Sequence, residues 1–193
     1  MLLVVPISLL ATTLLFPNTW GHAKWIPFAA LIAYVPMLIV QIVTTSLAEE
    51  PGWRDFALPR LQQRWGAIHG TLILGLLWGA WHAPLFLTDW AGEHVRWWEP
   101  ALFVLSCVPL SLVMTWVFNK TGQSIPMVML LHAGINNTFS VLWPESFPNQ
   151  DAESMTILVQ LAASTAAAAF LIVRTRGTLG LAPSEGRLVK NRV

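Results

Sequence analysis

Long apolar runs separated by short polar stretches make up most of this chain, and they constrain its fold more than any other feature. Only 11% of its 193 residues are charged, whereas a soluble domain carries about 25%. With a mean hydropathy of +0.58, most of the surface must face lipid. Irregular backbone cannot face lipid, so the sequence predicts an all-α fold, a polytopic membrane helix bundle.

Six stretches come close to the length of about 20 apolar residues that a membrane-crossing helix needs. They are Met1–Phe16, Trp25–Leu47, Ala67–Leu87, Pro100–Phe118, Ile125–Trp143 and Met155–Val173. The segment Pro51–Trp65 mixes apolar and polar side chains, which predicts a short helix lying at the inner interface. We therefore interpret residues 1–193 as a single integral membrane domain of about six transmembrane helices.

The positive charges predict the orientation of these spans. With both termini inside, nine Lys and Arg residues fall on the inner side and two on the outer side. The inner ones are Arg54, Arg60, Arg64, Lys120, Arg174, Arg176, Arg187, Lys190 and Arg192, and the outer ones are Lys24 and Arg96. The positive-inside rule favours this arrangement, with both termini in the cytoplasm.

Charge and cysteine content exclude several classes of protein. The formal net charge is +1, which argues against an electrostatic nucleic-acid binder. The single cysteine, Cys107, excludes an internal disulfide and a cysteine-cluster metal site. Because Cys107 lies in an apolar run, we predict that it packs as a small buried hydrophobe.

Glu49 and Glu50 stand side by side at the end of the second apolar stretch, and Arg54 follows. Ionisable side chains are expensive in hydrocarbon, so their presence there indicates a function. If the helix continues through Pro51 and Gly52, Arg54 can pair with Glu50 at the i, i+4 spacing. One carboxylate would then be held by Arg54 and the other free to act as general base on water. The alternative is an interfacial ion pair that anchors the span.

Two later apolar stretches each contain one internal histidine. Trp78 precedes His82 by one helical turn on the same face, where its ring can wall a dry pocket. Asn136 shares a helix face with His132, and its amide can donate a hydrogen bond to a developing oxyanion. The structural alternatives are a hydrogen-bonded interior histidine and hydrogen bonding between helices, which we expect of Asn137.

Taken in order, the motifs Glu-Glu-x-x-x-Arg, aromatic-x-x-x-His and His-x-x-x-Asn resemble the CPBP family of intramembrane proteases. This family comprises the type II CAAX prenyl endopeptidases and their bacteriocin-processing and immunity-associated relatives. The flanking residues 51–62 and the sequence His82-Ala83-Pro84 match as well, and the resemblance extends from Leu47 to Asn137. Each motif alone is a weak signal, whereas three in this order are specific.

The resemblance implies a membrane endopeptidase in which Glu49 polarises the attacking water, assisted by His82. His132 and Asn136 would complete the site, with Asn136 stabilising the oxyanion. Two histidines and a carboxylate could instead hold a catalytic zinc, through Glu49, His82 and His132. The motifs leave both mechanisms open and imply no other cofactor.

The same resemblance assigns Glu50 and Arg54 to holding the first motif in shape. One departure from the family pattern concerns Trp78, because phenylalanine usually stands four residues before the second-motif histidine. The aromatic wall is preserved, but the larger ring predicts a narrower pocket and a changed substrate preference.

The expected substrate is a peptide or a lipidated, membrane-tethered protein segment, such as a prenylated C-terminus. The expected location is the inner (plasma) membrane of a prokaryotic cell, with a water-filled cavity open to the cytoplasm. Membrane lipids are expected partners, and the basic tail Arg174–Val193 can contact anionic lipid.

Two other classes of function compete with the protease. One is a binding, chaperone-like or immunity-type membrane protein that keeps the fold without hydrolysis. The other is a haem protein with His82 and His132 as axial ligands. The haem hypothesis leaves Glu49, Glu50 and Asn136 without roles.

The depth of Glu49 and His82 in the membrane sets a geometric condition on any shared site. With Ala67 at the inner interface, His82 lies ~22 Å along its helix at 1.5 Å per residue. Hydropathy places Glu49 near the cytoplasmic edge. The two side chains can meet if the second helix continues past Leu47 into Trp53 and the third begins in the cytoplasm.

Overall fold

The computed structural model describes residues 4–91, 95–148 and 152–182. All regular elements in these ranges are helical, which confirms the all-α class. The α-helices are α1 Val4–Leu15, α2 Phe28–Gln41, α3 Leu47–Glu50, α4 Leu58–Trp81, α5 Glu99–Lys120, α6 Ile125–Asn137, α7 Trp143–Ser146 and α8 Ala152–Arg174. Short 3₁₀ segments cover Pro17–His22, Ala83–Leu87 and Asp89–Ala91.

A single helical run extends from Phe28 to Leu87 and reverses direction at Gly66. Gly66 has φ 77° and ψ 174°, a conformation that only glycine adopts without strain. On either side of this residue the two arms are antiparallel, since the ring centroids of Trp53 and Trp81 lie 6.3 Å apart. Gly66 therefore converts one long helix into a helical hairpin.

Two π-helical turns flank α3, Ile42–Ser46 before it and Pro51–Ala57 after it. Proline usually interrupts an α-helix, because it lacks the N–H and crowds the carbonyl four residues earlier, but Pro51 has helical backbone angles of φ −59° and ψ −38° at the start of the second π turn. The helix consequently continues through Pro51. The segment Pro51–Trp65 is helical, as predicted, and it continues the second helix into the hairpin; its position at the membrane interface stays a prediction.

The central core lies between the hairpin, α5 and α6. Its buried members are Leu58, Leu74, Trp78, Cys107, Leu110, Met114, Phe118, Val128 and Ile135. Cys107 is 1% exposed, as the sequence predicts for a small buried hydrophobe. Gly75 and Gly79 let α4 approach the backbone of α5 closely, as small residues do where membrane helices cross.

Replacing Gly79 by alanine is expected to force α4 and α5 apart. An added Cβ would lie 2.8 Å from the Cα atom and 3.0 Å from the carbonyl oxygen of Val104, and backbone atoms cannot rotate aside. The free energy of unfolding should fall by roughly 1–3 kcal/mol, measured by denaturant titration in detergent micelles. Gly52→Ala is the control, because a Cβ there meets nothing within 4 Å; an equal loss in both variants would contradict the prediction.

Within the described ranges, four helical runs are long and apolar enough to cross a membrane. They are Phe28–Leu87, Glu99–Lys120, Ile125–Ser146 and Met155–Arg174. The predicted count of six is not confirmed, since the hairpin forms one continuous run and the apolar helix Pro6–Leu15 is shorter. Large apolar side chains along α2, such as Phe28, Ile32 and Val35, are exposed and so are placed to contact lipid.

The predicted orientation of the termini stays a prediction. The end of the basic tail, residues 183–193, and the beginning of the first predicted span, residues 1–3, lie outside the described residues. The site described below lies on α3, the π turn Pro51–Ala57, α4 with the residue that follows it, and α6.

Candidate active site

The helical hairpin brings Glu49 and His82 to the same depth. Glu49 lies seventeen residues before Gly66 and His82 sixteen residues after it. At a rise of about 1.5 Å per residue, both are ~25 Å from the turn. Glu49 and His82 can therefore share one site, as the sequence analysis required, because the second helix continues past Leu47, through Trp53 and on to the turn.

The two adjacent glutamates are both buried, and their carboxylates have different partners. Glu49 is 8% exposed and Glu50 is fully buried. The Oε2 atom of Glu49 accepts a hydrogen bond from the indole nitrogen of Trp78 at 2.7 Å. The Oε1 atom of Glu50 lies 3.1 Å from Arg54 Nη1 and 2.6 Å from His132 Nδ1. Glu50 therefore joins the first motif to the third.

Arg54 is completely buried, and its guanidinium is enclosed by contacts from three directions. It pairs with Glu50 through Nη1, which confirms the predicted i, i+4 ion pair. Its Nη2 atom lies 3.5 Å from Ser111 Oγ and 3.2 Å from Met114 Sδ on α5. Its Cζ atom lies 4.1 Å from the ring centroid of Trp78. A buried cation with these contacts ties the acidic helix to its neighbours.

Both histidines are anchored through Nδ1. The partner of His132 Nδ1 is the carboxylate of Glu50 at 2.6 Å, and that of His82 Nδ1 is the Trp78 carbonyl oxygen at 2.8 Å. A carbonyl oxygen and an ionised carboxylate both accept hydrogen bonds and cannot donate them. Nδ1 therefore carries the proton in each ring. In the neutral tautomer Nε2 then has the lone pair. Each imidazole can consequently accept a proton or a hydrogen bond at Nε2.

Asn136 lies one helical turn after His132 on α6, as predicted, and is partly buried. Its side chain makes no hydrogen bond with the residues that the structure describes, so its amide remains available as a donor. The neighbouring Asn137 donates through Nδ2 to the backbone oxygen of Tyr34 at 2.8 Å. This bond joins α6 to α2 and confirms that Asn137 links helices.

Trp78 is the residue whose importance the sequence interpretation missed. The sequence predicted only that its ring forms one wall of a pocket, yet Trp78 contacts four of the six predicted site residues. Its indole bonds to Glu49, its carbonyl bonds to His82, and its ring centroid lies 5.4 Å from that of His132. Arg54 covers the ring. A signal was present in the sequence, because a buried indole N–H usually finds an acceptor.

A largely apolar cleft with a cavity volume of about 180 Å³, open on one side, lies near His82. Its lining residues are Phe86, Trp90, Ala91, Glu99, Phe103, Phe139, Thr156, Ile157 and Gln160. The His82 ring centroid lies 5.1 Å from that of Phe103 and 6.3 Å from that of Trp90. His82 therefore packs against two of the residues that line the cleft.

The arrangement of donors does not fit the alternative of a zinc site. No group of three or more His, Cys, Asp or Glu side chains among residues 4–91, 95–148 and 152–182 comes together as metal ligands would. We accordingly derive no chemical step through a metal.

These features define a helical membrane protein whose buried centre unites two carboxylates, two histidines and an arginine from separate helices. Residues 31–138 match the type II CAAX prenyl endopeptidase Rce1-like family. The match covers more than half of the chain, and the chain belongs to this family. A protein named CAAX prenyl protease 2, from Methanococcus maripaludis, is 27% identical over 142 residues, which are 69% of this chain and 52% of that protein. The chain spans about half the length of this relative.

Proposed function

We propose that this protein is an intramembrane endopeptidase that hydrolyses a peptide bond in a membrane-tethered substrate. The observation that carries the proposal is the convergence on Trp78 of Glu49, His82 and His132. One buried carboxylate and two imidazoles, whose Nε2 atoms make no hydrogen bond to the described residues, supply the groups that general acid–base hydrolysis needs. Family membership and the name of the relative support the same activity.

The reaction proceeds by direct activation of water. Glu49 accepts a proton from water while the water oxygen bonds to the scissile carbonyl carbon. His82 Nε2 accepts a hydrogen bond from the same water and orients it. The carbonyl oxygen becomes an oxyanion, which the side-chain N–H of Asn136 stabilises. The proton taken by Glu49 passes to the leaving nitrogen as the C–N bond breaks, which restores the carboxylate.

Glu50 and Arg54 act indirectly in this scheme. Glu50 holds His132 through Nδ1, in the way that a buried carboxylate orients the imidazole of a catalytic triad. Arg54 compensates the charge of Glu50. The two glutamates thus have separate tasks, one reacting and one positioning, because their partners differ.

The substrate class follows from the cleft beside His82. Aromatic rings line it, and an apolar cleft with a few polar groups suits a lipid chain or a large apolar side chain. We propose that a prenyl group or an equivalent apolar group of the substrate occupies it, as the name of the Methanococcus maripaludis relative suggests. The scissile bond would then lie over Glu49 and His82, on the cytoplasmic side of a prokaryotic plasma membrane.

The test is cleavage of vesicle-tethered peptides by the purified protein, with a farnesylated peptide and its unmodified counterpart as separate substrates. His82→Ala is expected to lower kcat by roughly 10²–10⁴-fold. His22→Ala is the matched control, since His22 is exposed and remote from the site in sequence. Metal content is determined on the same samples, and a stoichiometric metal required for turnover would contradict direct activation.

Other outcomes point to other functions. Equal cleavage by all three proteins would identify a contaminant. If the wild-type protein bound the farnesylated peptide without cleaving it, the non-hydrolytic binding function would replace the protease. Cleavage of both peptides at equal kcat/KM would exclude the prenyl group from the cleft while leaving the peptidase in place.

A further inference from the structure

We propose that Trp78 is a positioning residue, whose indole N–H fixes one oxygen of Glu49 and leaves the other to take the proton of water. This inference rests on the proposed function and deepens it. The sequence assigns Trp78 a steric task, the walling of a pocket. The structure adds a hydrogen bond that no other aromatic side chain could make at this position with the same ring placement.

The hydrogen bond is short and shielded from water. Trp78 Nε1 lies 2.7 Å from Glu49 Oε2, and the two residues are 2% and 8% exposed. An indole nitrogen donates and cannot accept, so the carboxylate oxygen is the acceptor. Hydrogen bonds to an ionised partner are roughly twice as strong as neutral ones. Water therefore competes poorly for Oε2.

The indole itself is held rigidly. The guanidinium carbon of Arg54 lies 4.1 Å from its ring centroid on one face. The imidazoles of His132 and His82 lie edge-on, with centroid separations of 5.4 and 5.7 Å. A rotation of the indole would displace all three side chains. The position of Glu49 Oε2 is thus set by a donor that cannot move away.

The two oxygens of Glu49 consequently differ. Oε2 is bonded to Trp78, whereas Oε1 makes no hydrogen bond within the described part of the chain. Oε1 is the atom that accepts the proton of the attacking water, and it later delivers that proton to the leaving nitrogen. Restricting the carboxylate to one orientation matters because a misplacement of about 1 Å can lower a rate by 10²-fold.

Trp78→Phe tests the hydrogen bond while keeping an aromatic ring in place. We expect kcat to fall by about 10- to 100-fold, with KM unchanged, because the substrate does not contact the indole N–H. Trp65→Phe makes the same chemical change at a half-exposed site in the hairpin turn and should retain the wild-type kcat. A rise in KM with kcat unchanged would show that Trp78 only shapes the pocket, which would overturn the positioning role.

The indole proton gives a second readout that needs no turnover. In the ¹H–¹⁵N spectrum of the micellar protein, the Trp78 signal is the one lost in Trp78→Phe. It should lie downfield and move upfield in Glu49→Ala. If the chemical shift of the Trp78 indole proton were the same in Glu49→Ala as in the wild-type protein, the hydrogen bond would be overturned, even if the wild-type protein is an active protease. If the wild-type protein cleaves nothing, the proposed function fails, and so does the proposed role of Trp78 in catalysis. The spectrum still decides whether the hydrogen bond between Trp78 and Glu49 exists.

Discussion

Glu49→Gln is expected to abolish peptide cleavage, with kcat reduced by roughly 10³-fold or more. Glutamine keeps the size of the side chain, and its amide oxygen can still accept the indole N–H of Trp78. It cannot take a proton from water at neutral pH, so the general base is lost; a positioned acid–base group contributes up to about 10⁴-fold. The measurement is kcat for a farnesylated, vesicle-tethered peptide at saturating concentration.

Glu145→Gln is the matched control for this variant. Glu145 lies in α7 and is exposed, so the same chemical change should leave kcat as it is. Thermal unfolding of both variants in micelles checks that neither has lost its fold. A folded Glu49→Gln protein that still cleaves at more than a tenth of the wild-type rate would assign the general base to another residue.

Arg54→Met is expected to cause the largest loss of stability of any single change considered for this chain. The substitution removes a fully buried cation and leaves the carboxylate of Glu50, also fully buried, with His132 as its remaining hydrogen-bond partner. Breaking a buried ion pair from one side costs about 3–5 kcal/mol, because the other charge stays desolvated. Denaturant titration in mixed micelles measures the free energy of unfolding.

A double-mutant cycle separates the charge effect from lost packing. In Glu50→Gln/Arg54→Met no unpaired charge remains, so this protein should be more stable than Arg54→Met alone. Arg64→Met, at an exposed arginine near the hairpin turn, should be close to the wild-type protein. If the double variant were as unstable as Arg54→Met, packing around Trp78 and Met114 would account for the loss.

The coupling between Glu50 and His132 links stability to activity. Because one carboxylate oxygen contacts both Arg54 and His132, a change at Arg54 also alters the group that orients His132. Variants at Arg54 should consequently lose activity even under conditions in which they remain folded. This distinguishes them from Gly79→Ala, whose effect is on the contact between α4 and α5.

Much of the site could be predicted because its residues are out of place in lipid. A carboxylate pair, an arginine and two histidines within apolar stretches are costly, and helical spacing relates Glu50 to Arg54. The ion pair between these two is local, four residues apart, and the structure confirms it. The burial of Cys107 followed from its apolar surroundings in the same way.

The contacts between the motifs could not be predicted from spacing. Glu50 and His132 are 82 residues apart, and Glu49 and Trp78 are 29 residues apart. The continuity of the segment Pro51–Trp65 with the second helix could not be predicted, because a proline suggests a break, whereas Pro51 has helical backbone angles. Hydropathy gives the approximate positions of spans but not where a helix reverses.

The sequence by itself determined the all-α membrane class, the family and the residues of the candidate site. The class follows from composition, the family from the resemblance of three motifs in order, and the candidate residues from their presence in apolar stretches, all of which are properties of the chain alone. The tertiary structure decided that Gly66 forms the turn, that Glu49 and His82 share one depth, and that Trp78 holds Glu49. These depend on how separate helices pack, because a side chain selects its partner only once packing has brought distant segments together.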